Sequence, residues 1–251
     1  MFRLTAIALL VVAAVSALPS SKIIGEEVSI EEFPSQASFF IYGSLICSAS
    51  ILSEKVVLTG GHCILNRISP RDCDVRVGSA LSDEGGQFIN VEQVYMHDRF
   101  SRFSFDYDIA LVVLGTPIVF DGVTVAPIKF AQSGEPQPGG EGIVGLVAGW
   151  ETGAEGHKEL RKVSLTVAEH EQCVEVYADD DNKVTERMLC VLVDEENATC
   201  SRDKGSALIV DGVLVGIASW SKECGNPEYP SVFTDVSTVS DWVLRILANI
   251  G

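Results

Sequence analysis

The stretch CSRDKGSALIVDGVLVGIASW, residues 200–220, carries the clearest fold signal in the sequence. Its Asp211-Gly212 dipeptide stands between two apolar runs, which predicts a tight hairpin between antiparallel strands. Similar short runs rich in Val, Ile, Leu and Phe recur outward from this stretch, between Gly, Asp and Ser residues: SFFIYG (38–43), VVLTGG (56–61), DVRVGS (74–79) and IALVVL (109–114). Many short strands separated by turns predict an all-β barrel or sandwich.

The end of the chain carries a different pattern. In STVSDWVLRILANIG, residues 237–251, apolar residues recur at helical spacing: Val239, Trp242, Val243, Ile246 and Leu247. Thr238 and Asp241 stand at the spacing of a capping box. We therefore predict a C-terminal helix that docks its apolar stripe on the β core.

The start of the chain has the pattern of an export signal. Arg3 precedes an apolar run from Leu4 to Val15, and the small residues Ser16 and Ala17 follow it. The run is too short to span a bilayer. We therefore expect residues 1–17 to be a signal peptide and the mature protein to be secreted and extracellular.

Composition narrows the classes of partner. The formal net charge is −17, from 18 Lys and Arg against 35 Asp and Glu. An acidic surface of this kind repels nucleic acid and anionic membranes, so neither is expected as a partner, whereas a basic protein is compatible. Seven cysteines in an exported chain predict disulfides with one thiol left over, and spacing alone does not assign the pairs. Asn197 begins an N-glycosylation sequon.

Three motifs along the chain contain candidate catalytic residues. His62 lies in VVLTGGHC, Asp108 in FDYDIALVVL and Lys204 in CSRDKGSAL. Together with IIGEE after Lys22, the GW at 149–150 and the SW at 219–220, they resemble the chymotrypsin/trypsin family of serine proteases from Ile23 to the end of the chain. In that family an Asp orients a His, which takes a proton from a Ser nucleophile while backbone N–H groups hold the oxyanion.

The resemblance implies two packed six-stranded antiparallel β-barrels with a C-terminal α-helix. The implied boundaries are a propeptide at 18–22 and a protease domain at 23–251, divided into an N-terminal barrel (23–129), a C-terminal barrel (130–236) and the helix (237–250). It also implies three disulfides, Cys47–Cys63, Cys173–Cys190 and Cys200–Cys224. Cys73 is then a free thiol, either buried or available for an intermolecular bridge.

The same resemblance exposes a departure at the reacting position. Where the family carries its nucleophilic serine there is Lys204, which has no hydroxyl, and where it carries the oxyanion glycine there is Arg202. A glycine there permits a backbone conformation that is costly for other residues. Ser206 stands two residues beyond Lys204, too far along a tight loop to replace the nucleophile. We therefore predict that the protein has no proteolytic activity.

Two further parts of the site follow from the resemblance. Ala198 stands at the base of the specificity pocket and Ser221 and Ser231 on its walls, so a preference for Lys or Arg is not expected. Cleavage after Lys22 would free the amino group of Ile23 to pair with Asp203 and order the neighbouring loops. Simple inheritance of these activation residues is the alternative reading.

The leading hypothesis is a secreted, inactive serine protease homologue that binds a protein partner as cofactor, decoy or competitor. The partner would be a protease, a protease inhibitor or a protease substrate, and the protein itself a monomer that needs neither a cofactor nor a metal. The first alternative is an active endopeptidase with non-tryptic specificity, and the second is an extracellular structural or storage protein. The lysine at residue 204 distinguishes the leading hypothesis from an active endopeptidase. A partner that binds saturably would distinguish it from a structural or storage protein.

Overall fold

A computed structural model describes residues 25–64, 68–136, 138, 140–150, 159–193, 204–223 and 225–250. Its first half is a closed antiparallel barrel in which β2 pairs with both β3 and β5, and β7 with both β4 and β6. Apolar and polar positions alternate along β5, whose inward side chains join a buried core inside the barrel. The six strands are β2 (Gln36–Ile41), β3 (Ser44–Ser53), β4 (Val56–Thr59), β5 (Cys73–Val77), β6 (Gln87–Met96) and β7 (Ala110–Leu114).

The second half forms another ring of six antiparallel strands, paired in the order β9-β10-β11-β14-β13-β12 and closed by β12 against β9. Two short strands extend it: β1 (Glu26–Glu27) pairs with β10, and β8 (Lys129–Phe130) runs parallel to β13. The ring consists of β9 (Val144–Trp150), β10 (Leu160–Val167), β11 (Met188–Leu192), β12 (Ala207–Val210), β13 (Val213–Trp220) and β14 (Ser231–Asp235).

The hairpin between β12 and β13 has the predicted two-residue turn. Asp211 and Gly212 occupy its two central positions with φ of 48° and 76°. Positive φ at both positions is the geometry of a type I′ turn, which matches the twist of antiparallel strands.

The C-terminal helix α2 (Val236–Ile250) closes the chain against the junction of the barrels. Its Val239, Trp242 and Val243 pack in one cluster with Leu58 and Leu111 of the first barrel, as well as with second-barrel residues. The predicted capping box is wrong, because the helix begins before Thr238. Asp235 caps it instead: its Oδ1 accepts hydrogen bonds from the backbone N–H and the hydroxyl of Ser237, at 2.9 and 2.7 Å.

A second, shorter helix was not predicted. Helix α1 (His170–Val176) lies between β10 and β11, and its N-cap residue Glu169 makes no side-chain capping bond. Only Cys173 of the helix is buried, and it is tied to Cys190 of β11 by a disulfide. A single buried residue in seven leaves no amphipathic pattern for sequence analysis to detect.

The fold class predicted from the sequence is therefore confirmed: two six-stranded antiparallel barrels with a C-terminal helix. A second disulfide joins Cys47 and Cys63, and the expected pair Cys200–Cys224 lies outside the described residues. Cys73 is a free thiol on β5, fully buried inside the first barrel. Burial, with smaller contributions from Asp72 and Asp74, raises the pKa of this thiol to about 11. A neutral thiol in the barrel core is poorly placed to bridge to another chain.

Across the described ranges, no helix combines the length and the apolar character required to cross a bilayer.

Candidate active site

His62 and Asp108 meet at the edge of the first barrel. His62 lies in a short 3-10 helix, Gly61–Cys63, directly after β4, and Asp108 precedes β7, the strand that pairs with β4. The Asp108 carboxylate contacts His62 twice: Oδ2 lies 2.6 Å from the ring nitrogen Nδ1, and Oδ1 accepts the His62 backbone N–H at 2.7 Å. Two bonds from one carboxylate fix the position and the orientation of the imidazole.

The second barrel also holds Asp108. The Ser219 hydroxyl, on β13, donates a hydrogen bond to Oδ2 of Asp108, and the Thr234 hydroxyl, on β14, donates to its backbone carbonyl at 2.9 Å. Asp108 is completely buried. A buried carboxylate is stable when its oxygens are hydrogen-bonded, and here donors from both barrels supply those bonds.

The second ring nitrogen of His62, Nε2, lies next to the two sulfur atoms of a disulfide. Nε2 lies 3.5 Å from Sγ of Cys63 and 4.0 Å from Sγ of Cys47, while the Phe105 ring meets the imidazole edge to face with 6.2 Å between centroids. These three donor atoms are close enough together to suggest a metal site. The two sulfurs are joined in a disulfide, however, so they do not provide thiolate ligands.

The imidazole lies against Gly60. A Cβ added at Gly60 would be 2.6 Å from Cε1 of His62 and 2.7 Å from its Nδ1, closer than carbon atoms approach. The absence of a side chain at residue 60 therefore leaves the room that the ring occupies.

The backbone of Lys204 is anchored across the junction between the barrels. Its carbonyl accepts the Ser48 N–H at 2.9 Å, and the next residue, Gly205, donates to the Ala218 carbonyl at 3.0 Å. Gly205 has φ of +76°, and a Cβ there would be 2.4 Å from both the Ser48 carbonyl oxygen and the Thr59 hydroxyl. Only glycine fits this close approach, so the turn fixes where the Lys204 side chain emerges.

Lys204 lines the cleft between the barrels. An ammonium at this position could pair with Asp108 or extend to solvent past His62. Within the described ranges no ion pair joins Lys204 to Asp108, so the first arrangement is not observed. Ser206 is fully buried, and its hydroxyl has no hydrogen-bond partner in the described part of the chain.

A cavity of about 350 Å³ opens beside Lys204 in the second barrel. Ser221 and Ser231, expected on the walls of a specificity pocket, both line it, together with Ser219. The other described residues that line it are Phe105, Tyr177, Asp180, Asp181, Asn182, Ala218, Trp220, Lys222, Val232 and Phe233. Lys204 thus lines a cavity whose wall residues Phe105 and Ser219 also contact His62 and Asp108.

Several residues singled out from the sequence lie outside the described residues: Lys22, Ile23, Asn197, Ala198, Cys200, Arg202, Asp203 and Cys224.

Sequence reasoning missed several contacts around the site. The SW pattern contains Ser219 but gives no sign of its hydrogen bond to Asp108, which lies 111 residues away in the chain. Asp106 was not singled out, yet its carboxylate receives the guanidinium of Arg187 from the second barrel, at 2.8 and 3.0 Å. The two aspartates of FDYD were the available signal, but the sequence pattern does not identify Arg187 as a partner.

Comparison with known proteins gives a consistent result. The family model described as Trypsin matches residues 22–243. Trypsin 5G1 of Aedes aegypti is 34% identical over 233 residues, which cover 90% of this chain and 85% of that protein. The structure of neuropsin, a serine protease expressed in the limbic system of mouse brain, superimposes with a TM-score of 0.78 at 27% identity, covering 89% of this chain and 98% of the other. A scabies mite inactivated protease paralogue has the same fold, with a TM-score of 0.80 at 22% identity over 90% of this chain and 98% of that one.

Proposed function

This chain belongs to the trypsin family of serine proteases, and from that premise we propose that it is a secreted homologue without proteolytic activity that acts by binding a protein. The observation that carries the proposal is the lysine at residue 204, which lines a cavity whose wall residues Phe105 and Ser219 contact His62 and Asp108. In the serine protease mechanism the group at that position must attack a carbonyl and later leave.

The chemistry of an amine supports loss of turnover. If the Lys204 amine attacked a peptide carbonyl and expelled the leaving amine, the product would be an amide between protein and substrate. An amide is as stable as the bond that was broken, so the reaction would stop after one event. Loss of a triad nucleophile costs around 10⁶ in kcat in a serine protease.

Two described hydroxyls near Lys204 are poorly placed to replace the nucleophile. Ser206 is fully buried and anchored through its backbone carbonyl, which accepts the Ala218 N–H at 2.9 Å. Ser219 already donates to Asp108. Arg202, at the position of the oxyanion glycine, would lower activity further, since removing one such donor costs about 10² to 10³ in rate.

An active endopeptidase is the second candidate, and the intact contact between His62 and Asp108 favours it. The test uses the purified protein before and after cleavage at Lys22, treated with a fluorescent fluorophosphonate and, separately, with a broad peptide library. A trypsin run in parallel is the positive control. We expect neither labelling nor hydrolysis. Stoichiometric labelling with turnover would show that a serine has taken over the chemistry and would overturn the proposal.

Proteins of the trypsin family interact with protein substrates or inhibitors, and we propose the same classes of partner here: a protease, a protease inhibitor or a protease substrate. Capture of a saturable partner from the native extracellular fluid would distinguish this role from a structural or storage role. Recovery of the protein in the medium of expressing cells, with its chain beginning after residue 17, tests secretion.

A further inference from the structure

We propose that the cleft binds the free carboxyl terminus of a peptide, with the Lys204 ammonium against the terminal carboxylate and the last side chain in the adjoining cavity. The inference rests on the proposed function, because it assigns a ligand to a cleft that does not cleave. Three features of the site support it: the position of Lys204, the balance of charge around the cavity, and the character of the cavity walls.

Lys204 stands where the cavity meets the junction between the barrels. Its backbone is bonded to Ser48 of the first barrel, whereas the cavity extends into the second barrel between β13 and β14. A group that contacts the ammonium at the junction can therefore be continuous with a group that fills the cavity. The α-carboxylate and the side chain of a terminal residue leave the same carbon and can reach both places.

The charge of Lys204 is not neutralised by the described residues. The other lysine on the cavity wall, Lys222, is paired with Asp180 at 2.9 Å, and its ammonium also lies 4.4 Å from the centre of the Tyr229 ring. Asp181, the remaining charged residue among the described lining residues, is exposed to solvent. Within the described ranges the Lys204 ammonium makes no ion pair, so a carboxylate is the ligand group that matches it.

The cavity walls suit an uncharged side chain. Trp220, Val232 and Phe233 supply apolar surface, and Ser219, Ser221 and Ser231 add hydroxyls. A volume of about 350 Å³ lies at the lower end of the range of ligand sites and accommodates one side chain of medium or large size. A terminal Leu, Phe or Gln fits these walls better than a terminal Lys, which would bring a third amine beside Lys204 and Lys222.

A terminal carboxylate differs from an internal residue in a way that the site can detect. At the position next to Lys204 an internal residue, or a terminal amide, presents a neutral carbonyl, whereas a free terminus presents a full negative charge. In a partly enclosed cleft that difference is less screened than in bulk water. The preference should survive the overall charge of −17, because that charge acts at longer range and is screened by salt.

The experiment compares matched peptides. The probes are acetyl-Ala-Ala-Pro-Leu, acetyl-Ala-Ala-Pro-Phe and acetyl-Ala-Ala-Pro-Gln, each as the free acid and as the primary amide, titrated into the full mature protein by calorimetry at physiological salt. We expect saturable binding of the acids and about tenfold or greater weakening for the amides. Lys204→Met should reduce the ratio between acid and amide to about one, and Lys204→Arg should retain most of it.

Lys55→Met is the matched control, because it removes an equal charge from an exposed lysine that does not line the cavity. It should leave the ratio unchanged, and unfolding midpoints establish that all variants are folded. The inference is overturned if acid and amide bind equally, if neither binds, or if the ratio persists in Lys204→Met. These outcomes leave the inactivity proposal standing, whereas hydrolysis or fluorophosphonate labelling would remove that proposal on separate grounds.

Discussion

Both carboxylate oxygens of Asp108 are bonded to His62, one to the imidazole and one to the backbone N–H of the same residue. The contact orients the ring even though residue 204 is a lysine, and the Ser219 hydroxyl of the second barrel donates to the same carboxylate. The pair is therefore also a structural joint between the barrels.

Removal of this carboxylate should destabilise the fold. Asp108→Ala leaves the Ser219 hydroxyl and two His62 donors without their partner in a fully buried place, and we expect a loss of about 2 to 4 kcal/mol in the free energy of unfolding. Urea denaturation measures it. The exposed Asp179→Ala, as control, should change stability by about 0.5 kcal/mol or less. Equal effects of the two substitutions would contradict a joint role for Asp108.

A methyl group at residue 60 should displace the imidazole. In Gly60→Ala the new Cβ collides with Cε1 and Nδ1 of His62, so the ring must move away from Asp108 at a cost of about 1 to 3 kcal/mol. The NMR signals of the His62 ring report the displacement. Gly140→Ala is the matched control, since no described atom lies within 4 Å of its added Cβ. Unchanged ring signals in Gly60→Ala would show that the site accepts the methyl without strain.

Restoring the serine should not restore the enzyme. We expect Lys204→Ser alone to remain at least about 10² below an active relative in peptide hydrolysis, because Arg202 still stands at the oxyanion position. The double substitution Lys204→Ser with Arg202→Gly should raise fluorophosphonate labelling above that of the single variant. Full hydrolytic activity in Lys204→Ser would show that the oxyanion position matters less than we propose.

His97 should make stability depend on pH. Burial is the largest cause that lowers the pKa of this imidazole, and Arg245 and Arg99 lower it further, against Asp98 and Asp106, which raise it. The neutral ring accepts the Arg99 N–H through Nδ1 at 3.1 Å and is packed between Tyr107 and Trp242.

The direction of this pH dependence follows from the difference between the His97 pKa in the folded and in the unfolded chain. Because the folded pKa lies below the unfolded value of about 6.5, the unfolded chain binds the proton more readily. The stabilisation is complete above pH of about 6.5 and declines as the pH falls through the lowered pKa. His97→Asn keeps an acceptor for Arg99 but does not titrate, so the difference in unfolding free energy between parent and variant should shrink as the pH falls below about 6.5. A constant difference across that interval would contradict the prediction.

The loop after β5 should depend on a guanidinium. Arg76 donates to the carbonyls of Ser82, Asp83 and Gly85 at 3.2, 3.1 and 2.6 Å. A lysine ammonium lacks the planar fork needed to reach all three, so Arg76→Lys should speed hydrogen exchange in the loop and cost about 1 kcal/mol. Arg71→Lys, at an exposed position, provides the control. Identical exchange in the two variants would contradict the prediction.

Local pattern predicted the strands and the hairpin because alternation and turn residues are encoded within a few positions. The helix start was predicted wrongly for a similar local reason: Thr238 and Asp241 have the spacing of a capping box, but Asp235 lies nearer the end of β14 and captures the Ser237 N–H. The bond from Ser219 to Asp108 was beyond prediction from pattern, since it forms only when two distant strands are brought together. The space at Gly60 likewise depends on the direction in which the folded backbone holds the His62 ring.

Because α2 packs against both barrels, part of the first barrel's surface is covered only by a segment that is synthesised much later. The first barrel has all its strands once residue 114 has left the ribosome, yet its Val56, Leu58, Ile109 and Leu111 pack in a cluster that is completed by Val239, Trp242 and Val243 near the end of the chain. Until the helix has been synthesised, that apolar surface is without part of its cover and is exposed to aggregation or to a chaperone. A premature stop after Asp235 would therefore produce a chain with a closed first barrel and an exposed apolar surface that is prone to aggregation.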